Sequence, residues 1–147
     1  MKRSFPVIVL LLWALSLPAE EPPHLSKKLL GEAKEVCEIL VEEVRVRDDS
    51  EGRYKMKLVN LRARVLKAAR TSAGLKKGDT LYLLYVHTYD KIPGPSPVPV
   101  LKEGGRYRAW LNPLKGEAVP EDRLLKDWDG RNGYGPPALG KSFLLID

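Results

Sequence analysis

Leu25, Leu29, Ala33, Val36, Leu40 and Val44 recur at helical spacing, and they predict an amphipathic helix from about Ser26. The stretch from Val36 to Arg47 is also rich in β-branched residues, and Val44-Arg45-Val46-Arg47 alternates. A helix over 26–35 followed by a strand over 36–47 satisfies both patterns. Asp48 to Gly52 is a turn cluster between two alternating runs and predicts a hairpin loop. Beyond it, Tyr54, Met56 and Leu58 share one parity, whereas Leu61, Ala63 and Val65 share the other. Side chains change face with every strand residue, so this switch predicts an inserted residue, a β-bulge near Leu58 to Asn60.

Gly74, Gly78 and Asp79 mark a loop over 71–79. Leu81 to Tyr89 is the strongest strand, apolar on both faces and so expected to run through the core. Four alternate prolines from Pro93 to Pro99 predict an extended loop outside any sheet ladder. After a turn at 102–105, Arg106 to Leu111 predicts a strand with Tyr107, Ala109 and Leu111 inward, ended by Pro113. One or two helical turns are expected over 121–128, turns over 129–137, and a short closing strand over 142–146. No internal repeat is visible.

The first 19 residues differ from all of this. Lys2 and Arg3 precede an apolar run from Val7 to Leu15, and Leu17-Pro18-Ala19 leads into Glu20-Glu21-Pro22-Pro23. That is the build of a secretory signal peptide. The run is shorter than the ~20 apolar residues of a permanent span; an uncleaved anchor is the alternative. No cysteine follows it directly, which disfavours a lipid anchor. The expected organisation is a signal peptide over 1–19, a tether over 20–26 and one domain over 27–147, periplasmic or extracellular, with no transmembrane span after processing.

The chain has 147 residues, 44% hydrophobic and 30% charged, with a net charge of +6. Disorder throughout is therefore excluded. Without Lys2 and Arg3 the balance is 23 basic against 19 acidic residues, or +4. Cys37 is the only cysteine, so no internal disulfide forms and the fold rests on its core. Cys37 between Val36 and Ile39 is expected to be buried.

Short strands, a long bent first hairpin and few helices predict a mainly β protein: a small five-stranded barrel of the oligonucleotide/oligosaccharide-binding (OB) type with one or two short helices. The segments LRARVL (61–66), GLKKGDTLYLLY (74–85) and VLKEGGRYRAWLN (100–112) resemble the netrin-like branch of that fold, shared with tissue inhibitors of metalloproteinases. The resemblance covers roughly 36–112 and is one of strands and turns. In that family inhibition depends on a disulfide-held cysteine at the mature N-terminus. Here the expected mature N-terminus is Glu20 and Cys37 has no partner, so the inhibitory chemistry does not carry over.

Candidate chemistry is sparse. His24 and His87 are far apart, so neither metal nor cofactor is expected. His87 with Asp90 suggests a proton-transfer pair; a hydrogen-bonded strand-end histidine is the favoured reading. GPPALGKS (135–142) fits a phosphate-loop pattern in letters only. Its prolines remove backbone donors, and no helix of useful length follows. Asp127-Trp128-Asp129 brackets an aromatic with two carboxylates, as a sugar-binding or hydrolytic loop would; a solvated loop with Trp128 as a plug is the simpler reading.

The strongest signal is positive charge. Arg53, Lys55, Lys57, Arg62, Arg64, Lys67, Arg70, Lys76 and Lys77 fall between residues 53 and 77 with no acid among them. Such a field attracts polyanions and is screened by salt. Export disfavours nucleic acid as the partner. The expected function is a non-catalytic binding module whose contacts are Arg62, Arg64, Lys67, Tyr54 and Trp128. Its expected partner is an anionic polymer, a lipid headgroup or an acidic protein. The alternative is a small secreted hydrolase, or an inhibitor of one, using the 127–129 loop or His87.

Overall fold

The computed structural model describes residues 23–49, 55–88, 97–114 and 124–146. The expected signal peptide, the first part of the tether, Tyr54, Asp90, Pro93 and Pro95 lie outside the described residues. The elements are helix α1 (Pro23–Glu32) and strands β1 (Glu35–Asp48), β2 (Met56–Thr71), β3 (Thr80–Thr88), β4 (Arg106–Pro113) and β5 (Gly133–Gly135). A 3-10 turn (Leu139–Ser142) and strand β6 (Phe143–Ile146) follow.

Strands β1, β2 and β3 form an antiparallel meander. Strand β4 returns to pair antiparallel with β1, Glu35–Leu40 facing Leu111–Arg106. Strand β5 joins β3 in parallel and β4 antiparallel. The ring β1-β2-β3-β5-β4 therefore closes on itself, and β6 extends it along β4. The protein is mainly β, a closed five-stranded barrel compatible with an OB-like fold.

Alternation explains why these residues close. Ile39 and Val41 of β1, Val59, Leu61, Ala63 and Val65 of β2, and Leu81, Leu83 and Tyr85 of β3 fill the interior. Tyr107, Ala109 and Leu111 of β4 complete it, as their spacing predicts. Tyr85 fixes the crossing segment at one end of the barrel. Its hydroxyl donates to the Pro99 carbonyl (2.8 Å) and accepts from the Leu101 N–H (3.3 Å). The tight turns at Gly78 (φ 94°) and Gly104 (φ 79°) use a backbone conformation that a Cβ resists.

The expected bulge at Leu58 to Asn60 is absent. Pairing of β2 with β3 is unbroken from Met56↔Thr88 to Arg64↔Thr80. The register shifts lie between Val36 and Cys37, Glu38 and Ile39, and Val41 and Glu43. They leave Ala69 and Leu66 of β2 and Glu42 of β1 as the extra residues. The parity switch has another cause: the outer face of β2 is also covered. Leu58, with Leu84 of β3, lies outside the barrel under Leu125 and Trp128.

The helix also begins earlier than the tether boundary allows. It starts at Pro23, a residue suited to a first helical position because its missing N–H has no intrahelical acceptor. It stops at Glu32, where Arg70 Nη1 reaches the carbonyls of Leu30 (3.4 Å), Gly31 (3.0 Å) and Ala33 (3.0 Å). A guanidinium there satisfies orphan carbonyls and opposes the negative helix end. The expected turns over 129–137 contain β5, whose Gly-Tyr-Gly carries little strand signal. Of the expected helical turns over 121–128, the described part, 124–128, is a turn packed on the sheet.

Cys37 is buried as expected, at 1% exposure. Burial, with the Glu35 carboxylate adding to it, pushes its thiol up to about 12. Thiolate is the reactive form, so iodoacetamide should leave folded protein unlabelled and modify Cys37 promptly once denaturant is added. Fast labelling without denaturant would place the thiol elsewhere.

Candidate functional site

The outer face of β2 and β3 meets the 124–132 segment at a polar recess of about 640 Å³. Arg62, Thr80 and Tyr82 line it from the strands, and Asp127, Asp129, Arg131 and Asn132 line it from the segment. A smaller recess of about 370 Å³ on the other side of Arg62 and Asp127 adds Glu43, Arg45 and Lys126. Asn60 places the segment. Its Oδ1 accepts the N–H groups of Leu124 (3.1 Å) and Leu125 (3.0 Å), while its Nδ2 donates to the Leu83 carbonyl (3.0 Å). Trp128 then lies against Tyr82, ring centroids 5.5 Å apart and 17° from parallel.

The charged groups of the recess are already matched. Arg62 Nη1 donates to Asp127 Oδ2 (2.8 Å) and pairs with Glu43 (3.1 Å); its Nε lies 3.7 Å from Glu42. Arg45 holds Glu43 at 2.6 Å, and Arg64 holds Glu42 at 2.8 Å. Three guanidiniums thus face three carboxylates. Arg131 clasps Asp129 at 2.6 Å.

Partial desolvation raises the Asp127 carboxyl. Hydrogen bonds from Arg62, the backbone and the Tyr82 hydroxyl (3.2 Å), with the Arg62 charge, more than offset that and leave it below the usual carboxylate value. The hydrogen bonds from Arg131 lower Asp129 likewise. A catalytic acid needs the reverse shift, so the two carboxylates suit structure better than proton donation.

A pH dependence follows from the sign. Asp127 is held low in the folded state, so its stabilisation is present above the ordinary value of 3.8 and is lost as pH falls through the folded value. Asp127 is half exposed, so the effect is at most about 1 kcal/mol. Urea unfolding from about pH 5 down to pH 2 should show a shallower acid decline in Asp127→Asn; parallel declines would refute the assignment.

The remaining candidates are dispersed. Trp128 is fully buried (0% exposed), with its Nε1 donating to the Arg131 carbonyl at 2.6 Å, so it presents no face to a ligand. This corrects its expected contact role: the indole fills the space between sheet and segment. His87 Nδ1 donates to the Val98 carbonyl (2.7 Å), which is the strand-end reading. In the glycine-lysine-serine run, the buried Ser142 hydroxyl accepts the Ala138 N–H (2.9 Å) and is committed to its own turn. Arg64 is paired, whereas Lys67 is exposed and makes no ion pair among the described residues.

Register reveals a second surface, centred on β1. Glu38 is flanked by Lys67 of β2 and Arg108 of β4, and Leu144 of β6 lies beside Arg108. Leu40 is flanked by Arg64 and Arg106, and Ile146 lies beside Arg106. Residues in register share a face, so these eight form two rows across four strands. Arg64, Lys67, Arg106 and Arg108 are all exposed. Glu38 reaches Arg108 at 3.4 Å, and Arg106, like Lys67, makes no ion pair among the described residues. Counting Glu42 with Arg64, four cations meet two carboxylates. The outward alternation of Arg106 and Arg108 was the available sequence signal for half of this face.

Among the described residues no group of His, Cys, Asp and Glu is placed to hold a metal ion, and no helix is long and apolar enough to cross a membrane. No protein-family model, curated protein or solved structure matches the chain.

Proposed function

We propose that the protein is an exported, non-catalytic binding module of the periplasm or extracellular space that recognises an anionic component through the outer face of β2, β1 and β4. The observation that carries this reading is the two-row cationic face, with Lys67 and Arg106 on either side of β1 and neither in an ion pair among the described residues. The basic start and apolar run of residues 1–19 support export. The strand and turn pattern over 36–112 supports the netrin-like branch of the OB fold as the structural relation. The low carboxyls of Asp127 and Asp129 count against the hydrolase alternative.

Retention on immobilised heparin tests the reading. The protein should bind in dilute buffer and elute with salt, because exposed charges more than about 10 Å apart are largely screened at 0.1 M. The double change Lys67→Glu with Arg106→Glu should move elution to clearly lower salt. Arg62→Gln should move it little, since Arg62 is committed to Glu42, Glu43 and Asp127. Passage of the unaltered protein straight through the column would overturn the proposal.

A further inference from the structure

Resting on that reading, we infer that the anionic component is a lipid bilayer surface, with the β2-β1-β4-β6 face laid against its headgroups. The charges alone fit any polyanion. The apolar residues between them narrow the choice. Leu40 lies between Arg64 and Arg106, Leu144 is beside Arg108 and Ile146 is beside Arg106. Leu144 is 53% exposed, among the largest exposures of any apolar side chain described.

A soluble glycan or an acidic peptide rewards the cations and leaves these side chains wet. A bilayer interface rewards both, because aliphatic groups enter the headgroup and acyl boundary while cations stay with phosphate. The long stems of Arg and Lys let their charged ends remain at phosphate level beside inserted Leu and Ile. Neighbouring strands lie about 4.8 Å apart, so four of them span roughly 14 Å measured along the curved wall. As the outer wall of a closed barrel that face is convex, and a convex face meets a surface more readily than it holds a chain in a groove. Arg64 keeps Glu42 at 2.8 Å and Arg108 keeps Glu38 at 3.4 Å, while Lys67 and Arg106, with no ion pair among the described residues, supply the remaining charge.

The test is sedimentation of the full chain with vesicles of phosphatidylcholine alone and with added phosphatidylglycerol. Residues 1–19 are present in every form compared, so differences report on the sheet face. Whatever residues 1–19 contribute to both kinds of vesicle, the full chain should bind the anionic ones more tightly, and salt should remove that excess. Each cation near such a surface contributes about 1 kcal/mol, so Lys67→Gln with Arg106→Gln should weaken binding roughly thirtyfold.

Leu144→Ser should weaken binding to anionic vesicles about fivefold and leave heparin elution unchanged. That readout separates an inserted side chain from a merely charged surface. All of these positions are exposed or half-buried, and circular dichroism checks that each variant is folded. Heparin retention without a preference for anionic vesicles would overturn the bilayer inference and leave the anion-binding reading standing. Leu144→Ser binding as tightly as the parent would do the same. Loss of both heparin and anionic-vesicle binding would overturn both.

Discussion

Trp128→Ala is expected to destabilise the protein by about 3–5 kcal/mol, the range for emptying a fully buried aromatic site. The indole is 0% exposed and packs with Leu58, Leu84 and Leu125 outside the barrel wall. It also stacks on Tyr82 and holds the Arg131 carbonyl. Its edge presses on β5: a Cβ added at Gly133 would come within 2.6 Å of Trp128 Cζ2. This contact allows a sharper test than the single change. Gly133→Ala should cost roughly 1–3 kcal/mol in the parent, and much less once Trp128 is alanine. Urea unfolding of the four proteins measures the coupling. Additive effects would mean that the glycine answers to something other than the indole.

Asn60→Ala is expected to cost about 2–3 kcal/mol, because a buried group left without its partner bears the full desolvation penalty. Three groups depend on that amide: the N–H of Leu124, the N–H of Leu125 and the carbonyl of Leu83. The two amides belong to the segment that carries Asp127 and Trp128, so the loss should be felt first there. Hydrogen exchange at Leu124 and Leu125 should accelerate far more than at Ile39 or Leu61 inside the barrel. Asn60→Asp keeps the two acceptor bonds but sets a buried carboxylate oxygen against the Leu83 carbonyl, so at neutral pH it should cost at least as much as alanine. Uniform acceleration through the whole barrel would show that Asn60 acts on global stability instead.

Both predictions concern a layer that the pattern of apolar residues marked without explaining. Leu58 is out of phase with Leu61, Ala63 and Val65, and a bulge was the local way to reconcile them. The actual cause is a segment more than sixty positions away that makes the outer face apolar as well. Periodicity reports burial and carries no information about which neighbour causes it. Strand β3 was legible because both of its faces are buried over the same residues, and β4 because one face alone is. Strand β5 was not, since glycines chosen to clear Trp128 and Leu114 look like turn formers.

The charge pattern has a similar history. Counting bases along β2 overstated the field at Arg62, because the acids that neutralise it lie on the partner strand. Once the first hairpin is paired, Glu43 falls opposite Arg62, so part of that compensation was latent in the sequence. The contribution of Asp127 was not, for it arrives through the Asn60-anchored segment. Lys67 kept its place as a candidate; Arg106 and Arg108 joined it only when register set β4 beside β1.

The way the ring seals has a consequence for assembly. Its first three strands are neighbours along the chain, but the join between β3 and β4 is made by three residues, Gly133–Gly135, near the end of the described chain. The meander can zip up early from local contacts, yet its far edge stays unfinished until that late tripeptide docks. Sequence-distant pairings of this kind slow folding. A ribosome that has delivered only the first hundred residues would therefore be holding an unsealed sheet with two bare edges, β1 awaiting β4 and β3 awaiting β5, and protection from premature edge-to-edge pairing would matter most in that interval.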